Sequence, residues 1–209
     1  MLIHVNKNNI DKLSVFMDEY FHQRYLVFIE RLQWSIASEN FKEIDEYDTK
    51  NTEYLIYIHP KHGVCGGLRF NPTNKPYMLS NVFSYLVDNI ENLPKSKNVW
   101  EASRFFLNVS SDKNEFIKKA TKEIFLGALE LGFKKKLNAL IIVADLRIER
   151  IIRASGWHFN RLSGPKNCKD DPNLTSIAGT LEISKFFYKN IIEKSKIEGF
   201  NTFYSKIKK

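Results

Sequence analysis

Leu13, Phe16, Met17, Tyr20 and Phe21 recur at steps of three and four, and Tyr25, Phe28 and Leu32 continue the stripe, so the chain opens on an amphipathic helix. The periodicity then stops, and residues 35–52 read as a polar, acidic connection. Tyr54 to His59 and Val64 to Phe70 have the pattern of strands, with Pro60-Lys61-His62-Gly63 as the reversal of a hairpin. Ser80 stands where an N-cap would open a helix through Phe83, Leu86 and Val87. Residues 98–109 read as a central strand, and Asp112 as the cap of a long helix ending near Gly132. A buried strand from Leu140 to Val143 leads to Asp145, the cap of a helix that runs through Ile152 and stops at Gly156. Ser176 to Ile183 is the last strand, and Lys185 to Lys196 closes the chain as an amphipathic helix. This order predicts an α/β protein, a single-domain three-layer α/β/α sandwich with a mixed central sheet over residues 1–209, whose last ten or so residues form a basic, partly disordered tail.

Composition narrows the class. A chain of 209 residues, 43% of them hydrophobic, suits one domain with a substantial core. It contains no run of roughly 20 apolar residues and no charged start followed by an apolar run, so a soluble cytoplasmic protein without a membrane span is expected. Cys65 and Cys168 form no CxxC pair, and the histidines lack zinc-ligand spacing, so no metal site is expected.

Charge changes the picture more. The chain carries net +8, yet residues 39–53 hold six acids (Glu39, Glu43, Asp45, Glu46, Asp48, Glu53) against Lys42 and Lys50, a local −4. Immediately upstream, Arg24-x3-Phe28-x5-Trp34 supplies a cation and two aromatics able to wall a pocket, which points to a small cationic ligand. The lysine-rich stretches 113–136 and 185–209 suit an acidic partner, protein or nucleic acid. Gly63, Gly66 and Gly67 lie in the hairpin and form no phosphate-binding fingerprint, and no nucleophile elbow is present. On the central strand, alternation sends Glu101, Ser103 and Phe105 to one face and Trp100, Ala102 and Arg104 to the other, unless a bulge intervenes. Charges in such a strand need partners: Arg24 or Arg69 for Glu101, Asp45 or Asp48 for Arg104.

In order, Arg24-x3-Phe28-x5-Trp34, Glu43-x-Asp45-x2-Asp48, Leu68-Arg69-x2-Pro72-Thr73, Pro76-Tyr77-Met78-Leu79 with Phe83, and Trp100-Glu101-x-Ser103-Arg104-Phe105 resemble the acyl-homoserine lactone synthases of the LuxI type. The stretch from Asp145 to Arg153 and Ser155-Gly156-Trp157 extend the resemblance to residues 20–184. It implies a fold like that of the GCN5-related N-acetyltransferases. It also implies an enzyme that acylates the amine of S-adenosylmethionine from an acyl carrier protein thioester, lactonises, and releases methylthioadenosine as it makes a quorum-sensing signal. S-adenosylmethionine is then a substrate, and no cofactor is expected.

The resemblance assigns substrate binding to Arg24, Phe28, Trp34, Asp45, Asp48, Arg69 and Arg104, and catalysis to Glu101, Glu43 and Ser103. An α-amino group of pKa about 7.7 to 8.0 needs only a weak acceptor near pH 7, and rigid Glu101 is favoured over Glu43 for that proton. Candidate acyl-pocket residues are Met78, Leu79, Phe83, Phe105, Ile142 and Leu181; candidate carrier-protein contacts are Lys118, Lys119, Lys122, Arg147, Arg150 and Arg153. The run Ile141 to Ala144 has no threonine, where relatives using 3-oxo chains often carry one, so an unsubstituted acyl chain is expected. Two alternatives stand beside this reading. An acetyl-CoA-dependent N-acetyltransferase would want glycines between strand and helix, and residues 104–113 contain none. A basic nucleic-acid-binding domain leaves the acidic segment and Glu101 unexplained.

Overall fold

The computed structural model describes residues 1–109, 114–169 and 174–195. In chain order the elements are β1 (Leu2–Val5), α1 (Ser14–Arg24) with a π-helical continuation (Tyr25–Arg31), β2 (Glu53–His59), β3 (Gly63–Pro72), α2 (Met78–Asn81), β4 (Val99–Leu107), α3 (Asn114–Lys135), β5 (Ala139–Asp145), α4 (Leu146–Ser155), β6 (Phe159–Arg161), β7 (Lys166–Asn167), β8 (Thr175–Glu182) and α5 (Lys185–Ser195). The expected class is the one observed: mixed α/β, built on a mixed sheet. Asp112 and the basic tail lie outside the described residues. Among the described residues no helix is long and apolar enough to cross a membrane.

The described residues form two compact units, one from Met1–Phe70 with the described part of Arg104–Gly127, the other from Asn71–Ser103 with the described residues from Ala128 to 195. In the first, β1 and β3 flank β2, all antiparallel, with Leu2 opposite Tyr57 and Glu53 opposite Phe70. Ile3, Val5, Met17, Tyr20, Val27, Phe28, Tyr54, Ile56, Val64 and Phe106 make its core. β1 had no counterpart in the sequence reading, because four residues are too few for a period to show. A Cβ on Gly67 would stand 2.5 Å from the Tyr20 ring and 2.7 Å from the Leu55 carbonyl, so α1 reaches β3 only because glycine is there.

In the second unit, β5 runs parallel to β4 (Val99 opposite Ala139) and antiparallel to β8 (Leu140 opposite Leu181), while β6 and β7 pair with β8. Asp145 caps α4 by accepting from the Ile148 N–H, and Gly156 ends it at φ +101°, both as the sequence predicts. Two boundaries differ. Ser80 lies inside α2 and donates to the Tyr77 carbonyl instead of capping a helix. Gly132 lies inside α3, where a Cβ would stand 2.7 Å from Ile183 Cδ1; it marks a close packing, not a helix end.

Candidate active site

The site begins with the way α1 ends. Continuing from Arg24, the chain widens into a π-helical stretch, in which the Leu32 N–H reaches back five residues to the Val27 carbonyl (2.9 Å). Val27 and Phe28 are thereby both buried, and Phe28 stacks on Trp34 with ring centroids 4.9 Å apart. The acidic connection is fastened to α1 where the Glu43 N–H donates to the Phe21 carbonyl (3.1 Å). The expected cation, aromatics and carboxylates are therefore neighbours, all in the first unit.

Arg24, Arg69 and Arg104 interleave with Glu43, Asp45 and Asp48 in a closed ring. Arg24 donates from Nε to Glu43 Oε2 (2.5 Å) and from both Nη atoms to the two oxygens of Asp48 (2.8 and 3.0 Å). Arg69 Nη1 bridges Asp45 Oδ1 (2.5 Å) and Asp48 Oδ2 (3.0 Å). Arg104 Nη2 bridges Glu43 Oε1 (2.9 Å) and Asp45 Oδ2 (2.8 Å). Tyr54 adds its hydroxyl to Asp48 Oδ1 (3.0 Å), and the Asp45 N–H adds a bond to Asp48 Oδ2 (2.9 Å). The Arg104 guanidinium lies 5.5 Å from the Phe28 ring centroid, and that of Arg69 lies 5.9 Å from Tyr47. Asp45 is the member that still meets solvent, its side chain 19% exposed against 7% or less for the other five.

Three guanidinium groups balance three carboxylates. This corrects the reading of the acidic segment as a net −4 trap: most of its charge is spent inside the protein. Burial by itself would push the Glu43 and Asp48 carboxyls up. At Glu43, Arg24 and Arg104 overcome burial, and at Asp48, Arg24 and Arg69 do, so both are held below their ordinary values. Burial pushes the Tyr54 hydroxyl up, and the neighbouring Asp48 charge reinforces it, so Tyr54 remains a donor. Tyr54 and Tyr47 went unnoticed in the sequence, because a tyrosine near a strand start gives no sign of the carboxylate or guanidinium it will meet.

Arg104 occupies the left-handed region at φ +56°, rare for a non-glycine residue inside a strand. Trp100 lies against Lys135 of α3 and Phe105 against Phe125 of the same helix, a shared side that strict alternation denies to residues of opposite parity. β4 thus slips by one residue near Arg104, the bulge that sequence parity allowed for but did not locate. Of the partners expected for Arg104, Asp45 is present and Glu43 replaces Asp48.

In the second unit, the buried Glu101 accepts from the Met78 N–H (2.9 Å) and the Leu79 N–H (2.7 Å), capping α2. Burial, assisted by the Glu101 charge, pushes the Tyr77 hydroxyl up to about 12, and Tyr77 donates to the Pro94 carbonyl (2.9 Å). Ser103 is half-buried on β4.

The family profile described as Autoinducer synthase matches residues 8–191. The chain belongs to the autoinducer synthase family. An acyl-homoserine-lactone synthase of Aliivibrio fischeri is 30% identical over 196 residues, which cover 92% of this chain and 100% of the relative. Autoinducer synthases so named are acyltransferases, and so is this chain. A solved CoA-dependent acyl-homoserine lactone synthase, bound to S-adenosylmethionine and isopentyl-CoA, is 21% identical, with TM-score 0.83 over 95% of this chain and 90% of its own. The fold is also similar to that of a Lactobacillus plantarum protein described as a putative N-acetyltransferase, at TM-score 0.53 and 16% identity over 87% of this chain and 97% of its own.

The remaining autoinducer synthase candidates scatter. Leu79 and Phe83 pack with Ile141, Val143 and Ala178. Ile142 and Leu181 belong to the opposite face of the sheet, since side chains alternate along β5 and Leu181 stands opposite Leu140. Met78 is buried at the start of α2, and Phe105 packs on Phe125. Within the second unit, Leu79 and Phe83 thus lie across the sheet from Ile142 and Leu181. Lys118 and Lys119 are exposed on α3, with Lys122 half-buried; Arg147 and Arg150 are exposed on α4. Arg153 is engaged: it donates to Glu149 (2.9 Å) and to the Phe159 carbonyl (2.7 Å), while Arg161 takes the other Glu149 oxygen (2.7 Å).

Proposed function

We propose that the enzyme acylates the amine of S-adenosylmethionine from a thioester donor, closes the homoserine lactone ring and releases methylthioadenosine. The observation that carries this is the balanced Arg24, Glu43, Asp45, Asp48, Arg69 and Arg104 ring, joined through the Arg104–Phe28 contact to the Phe28–Trp34 stack. Alternating guanidinium and carboxylate groups suit the zwitterionic amino-acid end of S-adenosylmethionine, an ammonium beside a carboxylate, better than a net negative trap would. Trp34 is less buried than Phe28, and it offers the sulfonium an aromatic face. Asp45, the solvent-reaching member, takes the ammonium.

Of the two carboxylates considered as proton acceptor, Glu43 is poor: two guanidinium groups hold its carboxyl below the ordinary range and so weaken it as a base. Glu101 takes that role, directly or through a water, in an orientation fixed by the Met78 and Leu79 N–H groups. Once the amine has attacked the thioester carbonyl and the thiolate has left, the substrate's carboxylate displaces methylthioadenosine from the carbon next to sulfur. That ring closure is intramolecular and has a good leaving group.

The donor is an acyl carrier protein, which the exposed lysines of α3 and arginines of α4 suit by charge. Acyl-CoA is the second reading, favoured by the CoA-dependent solved relative. The test supplies each donor with S-adenosylmethionine and follows methylthioadenosine and lactone by mass spectrometry. Lactone from the carrier-protein donor is expected, with Trp34→Ala raising KM for S-adenosylmethionine about tenfold, the loss of one cation–π contact and its packing. Absence of both products with every donor overturns the proposal.

A further inference from the structure

The first unit contains four arginines. Arg24, Arg69 and Arg104 each meet two carboxylates. Arg31, on the π-helical stretch, has no ion pair among the described residues. Its guanidinium is exposed and, among the described residues, donates to neutral oxygens at the long limit of hydrogen bonding: Asn108 Oδ1 and the Leu107 carbonyl, both at 3.4 Å. The adjacent Glu30 makes no ion pair with it; its carboxylate accepts from the Tyr25 hydroxyl (2.5 Å).

The acceptors that hold Arg31 are themselves fixed. Asn108 donates its N–H to the Cys65 carbonyl (2.7 Å) and its Nδ2 to Gln23 Oε1 (2.7 Å), which turns its Oδ1 toward Arg31. A guanidinium with five donors is thus stationed over the C-terminal end of β4 and uses two of them weakly. This is the fork that recognises phosphate oxygens in a bidentate way. The sequence of residues 104–113 contains no glycine, so it carries no glycine-rich phosphate motif.

We propose that Arg31 binds the phosphate of the pantetheine arm of the acyl donor, a side-chain cation standing in for a backbone cradle. The inference rests on the thioester-donor reading above. It does not choose between donors, since carrier protein and CoA both present the acyl group on a phosphorylated pantetheine arm.

Calorimetry with two probes, 4′-phosphopantetheine and pantetheine, on the full chain and on Arg31→Gln tests it. The unsubstituted protein should bind the phosphorylated probe about tenfold more tightly, and Arg31→Gln should erase that preference while Arg31→Lys keeps part of it. An unchanged KM for S-adenosylmethionine in Arg31→Gln shows that the ring nearby is intact. With turnover, KM rising for acyl-CoA alone, for acyl carrier protein alone, or for both identifies which donor phosphate Arg31 meets. Equal affinity for the two probes, or a preference that survives Arg31→Gln, overturns this site and leaves the donor reading standing. Failure to bind either probe overturns both.

Discussion

Glu43 is fully buried between two guanidinium groups, so replacing it leaves one buried positive charge of the ring uncompensated, with Arg24 keeping only Asp48 and Arg104 only Asp45 of their ring partners. Removing one partner of a buried pair costs about 3–5 kcal/mol, because the ions left behind remain desolvated. Glu43→Gln should lower the urea midpoint by an amount equivalent to that loss, at unchanged slope. Asp45→Asn, at the solvent-reaching edge, should cost only about 1 kcal/mol and act mainly on KM for S-adenosylmethionine. Equal destabilisation by the two substitutions would contradict the ring as described. Acid provides a second measurement. The folded-state carboxyls of Glu43 and Asp48 lie below their ordinary values of 4.5 and 3.8, so their stabilisation is complete above that range and is lost as pH falls through the lower folded values. Unfolding free energy should therefore drop steeply below about pH 4, and the drop should be shallower in Asp48→Asn.

At the level of elements, two local irregularities set the site. The π-helical stretch buries Phe28 beside Trp34, and the slip in β4 lets Arg104 reach Glu43 and Asp45. An arginine held at positive φ costs on the order of 1 kcal/mol or more, offset here by four hydrogen bonds to two carboxylates. The approach of α1 to β3 depends on Gly67. Gly67→Ala should destabilise by about 1–3 kcal/mol through overpacking against Tyr20 and the Leu55 carbonyl, measured by thermal unfolding. A stability equal to the parent's would show that α1 moves away without cost. Periodicity and caps made most elements legible: the hairpin, β5, the Asp145 cap and the Gly156 stop are where the pattern puts them. Ser80 and Gly132 misled because each residue type has a second use. A serine hydroxyl also bonds back to its own turn, and a glycine also admits a neighbour's side chain.

For the whole molecule, the ring removes three carboxylates and three arginines from the charge a partner meets, while the chain remains +8. The positive excess is then carried by lysines and by exposed arginines such as Arg31 and Arg150. If an acidic carrier protein is the donor, its KM should rise several-fold between about 50 and 500 mM salt, while KM for S-adenosylmethionine stays nearly constant. Steady-state kinetics at the two salt concentrations decides this, and equal salt dependence for both substrates would count against charge-guided docking.

The sequence alone determined the class of fold, the order of most elements, the family resemblance and the set of residues worth watching. These follow from short-range regularities: apolar period, capping chemistry, glycine placement and ordered motifs. Only the tertiary structure decided how the charges are used. Arg24, Arg69 and Arg104 find their carboxylates across separations of 19 to 61 residues, and Glu101 meets backbone N–H groups 22 and 23 residues away. No local pattern encodes such pairings. They arise because buried charge must be matched wherever the folded chain brings the opposite sign.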